Sequence, residues 1–484
     1  MRDISLSSTH WLRSAVLGSA VALALVGCGG GEDTSGANPV AQNVHTPAQI
    51  AQESADNYND NVNGLITGAT LKRWMGDWVN QRPPGVTGKL VILQSSAGPE
   101  GFEFVKPDNK TVFTYQVPTS EWVQTRSNGV IQTVSMVPDG PTIDALLKKY
   151  GIDPNNDMIV CSMGTGSFSL AMNQGRCWYM FRYWGLDKKN LAILNGSNDW
   201  QVTSGAMTAA DFAATASNPP NNGIWSVRDV PNDNTALQAS VEDMINVVTS
   251  SDVNDLTDGV FIWDARSIDQ YSAGEIDENG NVPANYMSTF QNSGSRQGHP
   301  NGTLQLNYVN MLLAAQGYSY KPKSQLMAYL DGQVDAAGKG FSDSTYQHVG
   351  VGNAYQPGDT IYAYCETTFR AMITGVASAV ILGKPTRFYD GAMVEWNSLS
   401  SIVAADGNPI LPADSPWRTD LASRSYFKPA SSPLLIATRQ ITDPYAATAN
   451  KIINDDRAYK LGTGGNGGST GGGGGGAPSN PCGG

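Results

Sequence analysis

The chain has 484 residues, 40% hydrophobic and 15% charged, enough to bury the cores of two or three ordinary domains. Its formal net charge is -12 and its pI is near 4.8, and no basic patch is visible. This argues against a nucleic-acid partner, while small anions can still be held locally by backbone amides. The five cysteines, Cys28, Cys161, Cys177, Cys365 and Cys482, form no CxxC pair, and none of the four histidines is near a cysteine in sequence. Neither a dense disulfide framework nor a zinc site nor another cofactor is expected.

At the N-terminus, Arg2 and Arg13 precede the apolar run "AVLGSAVALALVG", Ala15 to Gly27. This run falls short of the roughly 20 residues a permanent membrane span needs. It ends in "LVGC", which resembles a bacterial lipobox. That resemblance implies that residues 1–28 are a lipoprotein signal peptide, cut before Cys28, whose sulfur then carries lipid. An ordinary signal peptide is the alternative. Gly29, not Asp, follows the cysteine, which implies the outer membrane, facing the periplasm or the cell exterior. Residues 29–58 are polar and aperiodic and read as a flexible tether. The glycine-rich end, residues 461–484 with Cys482, reads as disordered.

Between these lie two stretches with the same order of signals. In the first, "LKRWMGDWVN" places Leu71, Trp74, Met75, Trp78 and Val79 on one helical face. "KLVILQSS" is a buried-strand pattern, "PTIDALLKKYG" a helix punctuated by Pro141 and Gly151, and "DMIVC" a strand ending at Cys161. "GRCWYMFRYWG" is a helix whose aromatic setting makes core packing the default for Cys177, and "LAILNG" is a strand. In the second, "SVEDMINVV" is a helix capped by Ser240, followed by the strand "GVFIWDAR" and the helix "SQLMAYL". The strand "TIYAYC", the helix "RAMITGVASAVILG" and the strand "TRFYDG" complete the block before Trp396. Alternating strands and helices imply parallel βαβ units. Two blocks imply two α/β domains, 59–217 and 224–460, joined near "NPPNNG".

Chemistry concentrates in "TIYAYCETTFRAMITG", Thr360 to Gly375, where a strand gives way to a helix at Cys365. A parallel strand delivers that sulfur to the carboxyl edge of its sheet, where ligand crevices form. Loop amides and the start of the next helix favour an anion there and lower the thiol pKa from about 8.5. The plain alternative is a buried structural cysteine.

Other segments set this loop in a pattern. "WDARSIDQY" carries Asp264 and Arg266, "GHPNGTLQLNY" carries Gly298, His299 and Gly302, and "YDGAMVEW" follows the loop. With "YCETTFRA", this order resembles a rhodanese domain. The first block is similar more loosely, through "GRCWYMFRYWGLDKKNLAILNGSNDWQ". The whole resembles a tandem thiosulfate or mercaptopyruvate sulfurtransferase. The resemblance implies two rhodanese-like domains, each a parallel sheet flanked by helices on both faces, the first one non-catalytic. It implies that Cys365 becomes a persulfide, that Glu366, Thr367, Thr368 and Phe369 form the binding loop, and that Arg370 forks towards the bound anion. Cys365 to Arg370 is six residues, one fewer than the related phosphatase-type loops, which counts against a phosphatase. Asp264, Arg266 and His299 are expected to be architectural.

The chain departs from the family pattern at Glu366 and Thr367, where cations are usual, at Gln270, where an Arg is common, and at Thr368, which replaces a glycine. A carboxylate facing the sulfur would raise its pKa, so Glu366 is expected to point to solvent. Thr368 is a poor residue if its position requires positive φ. Cys161 sits where the first block would carry its own nucleophile, so it is either a second reactive thiol or a buried structural one. Cys482 reads first as a solvent-exposed or mixed-disulfide thiol of no catalytic role, and otherwise could accept sulfur from Cys365 or cap it as a disulfide. Three functions follow. The first is a lipid-anchored sulfurtransferase taking a small sulfur-containing anion and a thiol or cyanide-like acceptor. The second is a reductase of selenite or tellurite, and the third a non-enzymatic sulfur carrier or envelope-assembly partner.

Overall fold

The computed structural model describes residues 42–128, 132–250, 257–272, 298–400, 411–412, 415–419 and 450–463. Cys28 and Cys482 lie outside the described residues. Among them no helix is long and apolar enough to cross a membrane.

The first half comprises β1 (Gly64–Ile66), α1 (Gly68–Gly76), β2 (Leu90–Gln94), β3 (Val112–Gln116), the hairpin β4 (Gln124–Ser127) and β5 (Gln132–Met136), α2 (Gly140–Tyr150), β6 (Met158–Ser162), α3 (Phe168–Tyr183) and β7 (Leu191–Leu194). The second comprises β8 (Gln238–Ala239), α4 (Val241–Ser250), β9 (Val260–Asp264), β10 (Thr303–Gln305), the hairpin β11 (Leu312–Leu313) and β12 (Ser319–Tyr320), α5 (Lys323–Leu330), β13 (Thr360–Tyr364), α6 (Phe369–Val376), β14 (Thr386–Tyr389) and α7 (Ala392–Ser400). Helix α8 (Lys451–Lys460) follows.

Two five-stranded sheets result, β1-β7-β6-β2-β3 and β8-β14-β13-β9-β10. Every pairing in both is parallel. Counted within its own sheet, each runs first, fifth, fourth, second, third, so the repeated order of signals in the sequence becomes a repeated topology. Parallel strands are covered on both faces and therefore read as unbroken apolar runs. Strands β2 and β6 are buried at every position.

Helix ends follow local chemistry. Asp139 caps α2 by accepting from Thr142 N at 3.1 Å, and Gly151 ends it in the left-handed region at φ 62°. Ser240 Oγ accepts from Asp243 N at 3.2 Å, while Asp243 accepts from Ser240 N at 2.8 Å.

Helix α3 is buried from Ala171 to Tyr183 on all sides, its two arginines included. It lies along α6, and Gly175 makes that approach possible, since a Cβ there would stand 2.8 Å from Met372 Cβ. One hydrophobic core therefore joins the inner faces of both sheets, with Leu93 and Trp178 from the first half and Ile361 and Phe388 from the second. Separate clusters cover the outer faces, Leu71 and Trp74 behind the first sheet and Met244 and Trp396 behind the second.

Two expectations need correction. The helix expected over "LKRWMGDWVN" breaks at Asp77 (φ -156°, ψ 72°), whose side chain caps the following turn, and Val79 is 57% exposed instead of facing the core. The tether expected over 29–58 is packed structure from residue 42 onward. Asn43 and Val44 pair with Asn232 and Asp233, Thr46 caps a helical turn Pro47–Ile50, and Ile50 is fully buried. The segment was read as unstructured because its apolar side chains are few. Its order comes from backbone bonds to distant parts of the chain, such as Gln52 N to Ala379 O at 2.8 Å.

Candidate active site around Cys365

Strand β13 is the middle strand of the second sheet, and Cys365 follows it directly. From there the chain turns through Glu366 and Thr367 to Thr368, and α6 begins at Phe369. The first turn of α7 closes the other side. Met393 N donates to Cys365 O at 3.2 Å, and Val394 N to Glu366 O at 3.3 Å. Cys365 is not in a disulfide and has no solvent exposure, and Glu366, Thr367, Thr368 and Phe369 are buried with it.

Thr368 sits at φ 65°, ψ -4°, left-handed backbone that β-branched residues rarely adopt. Its hydroxyl donates to Tyr389 O at 2.7 Å and lies 3.1 Å from Asp390 O, tying the strained turn to the end of β14. Thr368→Val keeps the shape and the strain but strips these carbonyls of their donor. It should lose about 2 kcal/mol in urea unfolding, whereas Thr368→Gly, which also relieves the strain, should stay within about 1 kcal/mol of the parent.

The distant motif segments converge on the loop. Arg266 is fully buried and forks onto Asp264, with Nη2 to Oδ2 at 2.7 Å and Nε to Oδ1 at 3.0 Å. Its Nη2 also donates to Gly298 O at 2.6 Å, and Nη1 to Glu366 Oε2 at 3.3 Å. Tyr364 donates to Asp264 at 2.9 Å. Burial works against the Arg266 charge, but the Asp264 and Glu366 carboxylates override it and hold its pKa well above the usual arginine value. Burial raises the Tyr364 phenol well above its usual value, with Asp264 adding to it, so it stays a donor. His299 stacks on Tyr271 at 3.6 Å with Nδ1 2.7 Å from Tyr271 O, and so ties the segment after Gly298 to the turn after β9.

The expectation that Glu366 faces solvent is overturned. It is 1% exposed and salt-bridged to Arg266. The physical reason is Arg266 itself, a buried guanidinium with an edge left beyond Asp264, which a second carboxylate satisfies. Gln270, standing where an Arg is common, accepts a hydrogen bond from Arg370 Nη1. Arg370 is 9% exposed at the first turn of α6. The structure thus gathers Asp264, Arg266, His299, Cys365, Glu366 and Arg370 into one region.

The first half also reaches this region. Arg176 of α3 is fully buried and pairs with Asp390, with Nη2 to Oδ2 at 3.1 Å, while donating to Ser135 O at 2.6 Å. Val137 N donates to Asp390 Oδ2 at 2.6 Å, and Asn128 Nδ2 to Glu395 Oε1 at 2.6 Å. Asp390 is the residue whose carbonyl lies against the Thr368 hydroxyl, so a side chain of one half steadies the loop of the other. Sequence reasoning missed this pair. The available signal was a pair of arginines, Arg176 and Arg182, inside the aromatic helix "GRCWYMFRYWG".

Cys161 is neither a second reactive thiol nor a free structural one, because it forms a disulfide with Cys177. It lies near the end of β6, the first-sheet counterpart of β13, and its partner lies on the next helix, 16 residues on. Both are buried. Closing a loop of this size stabilises by about 3 kcal/mol. The Cys161→Ala/Cys177→Ala protein should unfold at correspondingly lower urea concentration. Among the described residues no group of three or more His, Cys, Asp or Glu could hold a metal ion.

No family model matches the sequence, and no curated protein does. Solved structures do. Tum1 from Saccharomyces cerevisiae is 16% identical, covering 72% of this chain and 98% of its own, with a TM-score of 0.47. YnjE is 14% identical, with 73% and 69% covered and a TM-score of 0.45. An anaerobic ergothioneine biosynthesis enzyme from Chlorobium limicola, in complex with trimethyl histidine, is 11% identical, with 72% and 71% covered and a TM-score of 0.45.

Proposed function

We propose that the chain is a sulfurtransferase that carries sulfur as a persulfide on Cys365. The observation that supports this most is the placement of a cysteine outside any disulfide at the carboxyl end of the middle parallel strand, just before a helix, with Arg370 closing the six-residue loop. Helix-start N–H groups lack partners within the helix and favour negative charge, which is what a thiolate and its persulfide require.

The chemistry runs in two displacements. The Cys365 thiolate attacks the outer sulfur of a donor such as thiosulfate. An S–S bond forms, the donor's S–S bond breaks, and sulfite leaves with the electron pair. An acceptor such as cyanide or a thiolate then attacks the terminal sulfur and leaves as thiocyanate or a persulfide, which regenerates the thiolate. Such covalent catalysis gives ping-pong kinetics. Loop amides hold the charge, Arg370 orients the donor's oxygens, and Arg266 with Asp264 holds the loop in place.

In this reading the protein is exported and lipid-anchored through Cys28 in the bacterial envelope. The disulfide between Cys161 and Cys177 supports an oxidising compartment. The test is mass spectrometry of protein exposed to thiosulfate. The peptide bearing Cys365 should gain the mass of one sulfur atom and lose it on addition of cyanide. An unchanged mass with every sulfane-sulfur donor tried would end the proposal.

A further inference from the structure

A concavity lies at the carboxyl edge of the first sheet and shares no lining residue with the Cys365 loop. It measures about 550 Å³, within the roughly 300–1,000 Å³ of small-ligand sites. Its floor follows from the topology. Strands β1 and β7 are neighbours, and the residues that leave their carboxyl ends, Thr67 and Asn195, both line it. This is the sheet edge where α/β folds place ligands. The β11–β12 hairpin of the second half supplies one wall, fixed by Tyr320 N donating to Asn195 Oδ1 at 2.8 Å and Ser197 N to Gly317 O at 2.9 Å. The segment after Asp56 supplies another.

The lining chemistry is distinctive. No lining residue is a cation, and the one acid, Asp56, is salt-bridged to Lys323 at 3.1 Å. Trp200 presents a half-buried indole, held by close backbone on two sides. A Cβ on Gly317 would stand 2.2 Å from Trp200 Cβ, and one on Gly196 would stand 2.8 Å from its ring. Around it three carboxamides spend their oxygens on hydrogen bonds within the chain. Asn57 Oδ1 accepts from Asn59 N at 3.1 Å, Asn59 Oδ1 from Thr67 Oγ1 at 2.6 Å, and Asn195 Oδ1 from Tyr320 N. Fixing each oxygen fixes the opposite NH₂ group as a donor for something else. Gln316 adds another exposed carboxamide.

A flat apolar ring surrounded by oriented amide donors, with no cation in the lining and its one carboxylate already paired, suits one class of ligand. Anions would lack a counter-charge, and wholly apolar molecules would strand the amides. A sugar ring matches both features, since its C–H face lies on the indole and its hydroxyl oxygens accept from the amides. We propose that this pocket binds a neutral monosaccharide or disaccharide, independently of the chemistry at Cys365.

The test is saturation-transfer NMR on the full chain with glucose, maltose, cellobiose and N,N′-diacetylchitobiose. At least one should give ligand signals, and Trp200→Ala should weaken its binding at least tenfold. Asn195→Asp keeps an acceptor for Tyr320 N, replaces the NH₂ donor with an oxygen and adds one negative charge, which a neutral sugar has no counter-charge to feel. It should fold normally and also weaken binding at least tenfold, while persulfide formation on Cys365 stays unchanged in both variants. The proposal is overturned if none of these sugars binds, or if a sugar binds the parent and Asn195→Asp equally. Displacement of a bound sugar by thiosulfate or inorganic phosphate would also overturn it, since that would make the pocket an anion site.

Discussion

Cys365→Ser protein should fold as the parent does, take up no sulfur, and lose at least ~10³-fold in sulfur-transfer turnover, in line with the loss of other nucleophiles. The substitution changes one atom in a fully buried position, so the shape of the loop survives. A hydroxyl at the same place is barely ionised near neutrality, and its oxygen does not form the persulfide that stores the sulfur. Steady-state release of thiocyanate from thiosulfate and cyanide reads the loss directly. A serine variant that retained turnover would move the chemistry to another group. Among the described residues the other two cysteines are bound to each other, which narrows where it could go.

Breaking the Arg176–Asp390 pair has the largest effect on stability. Arg176→Ala should cost about 3–5 kcal/mol in urea unfolding, because it leaves the Asp390 carboxylate buried without its cation. It also strips Ser135 O of a donor. Arg176→Met combined with Asp390→Leu removes both charges and should recover part of that loss, so the double variant will be less damaged than the sum of the singles. The pair holds the end of β14, and the carbonyl of Asp390 lies 3.1 Å from the Thr368 hydroxyl. Arg176→Ala should therefore also slow persulfide formation, although Arg176 belongs to the other half of the chain.

The repeated α/β order was legible because both sheets are parallel and buried on both faces, so β2, β6, β9 and β13 read as apolar runs. Helix α2 was legible from Pro141 and Gly151, and α4 from Ser240. The motif segments around Asp264, Gly298 and Cys365 were legible as a set, and the fold brings them together. The short edge strands were not. Gly64–Ile66, Gln238–Ala239 and Thr303–Gln305 have two or three residues each, and their state is set by the neighbour they pair with more than by their own composition. The disulfide was hidden because its partners sit on different kinds of element, with no spacing signature. Glu366 was misread because its environment was judged from the thiol alone. The buried guanidinium that receives it lies 100 positions earlier in the chain.

The absence of any exposed surface on Cys365 has a consequence for how long such a protein lasts. An open thiolate in an oxidising space would drift to sulfenic and sulfinic acid or be capped by passing disulfides. With Cys365 held against the first turn of α7, a small donor would reach its sulfur only through a local opening of the loop. Bulky oxidants are excluded by size, and shelter of this kind trades speed for endurance.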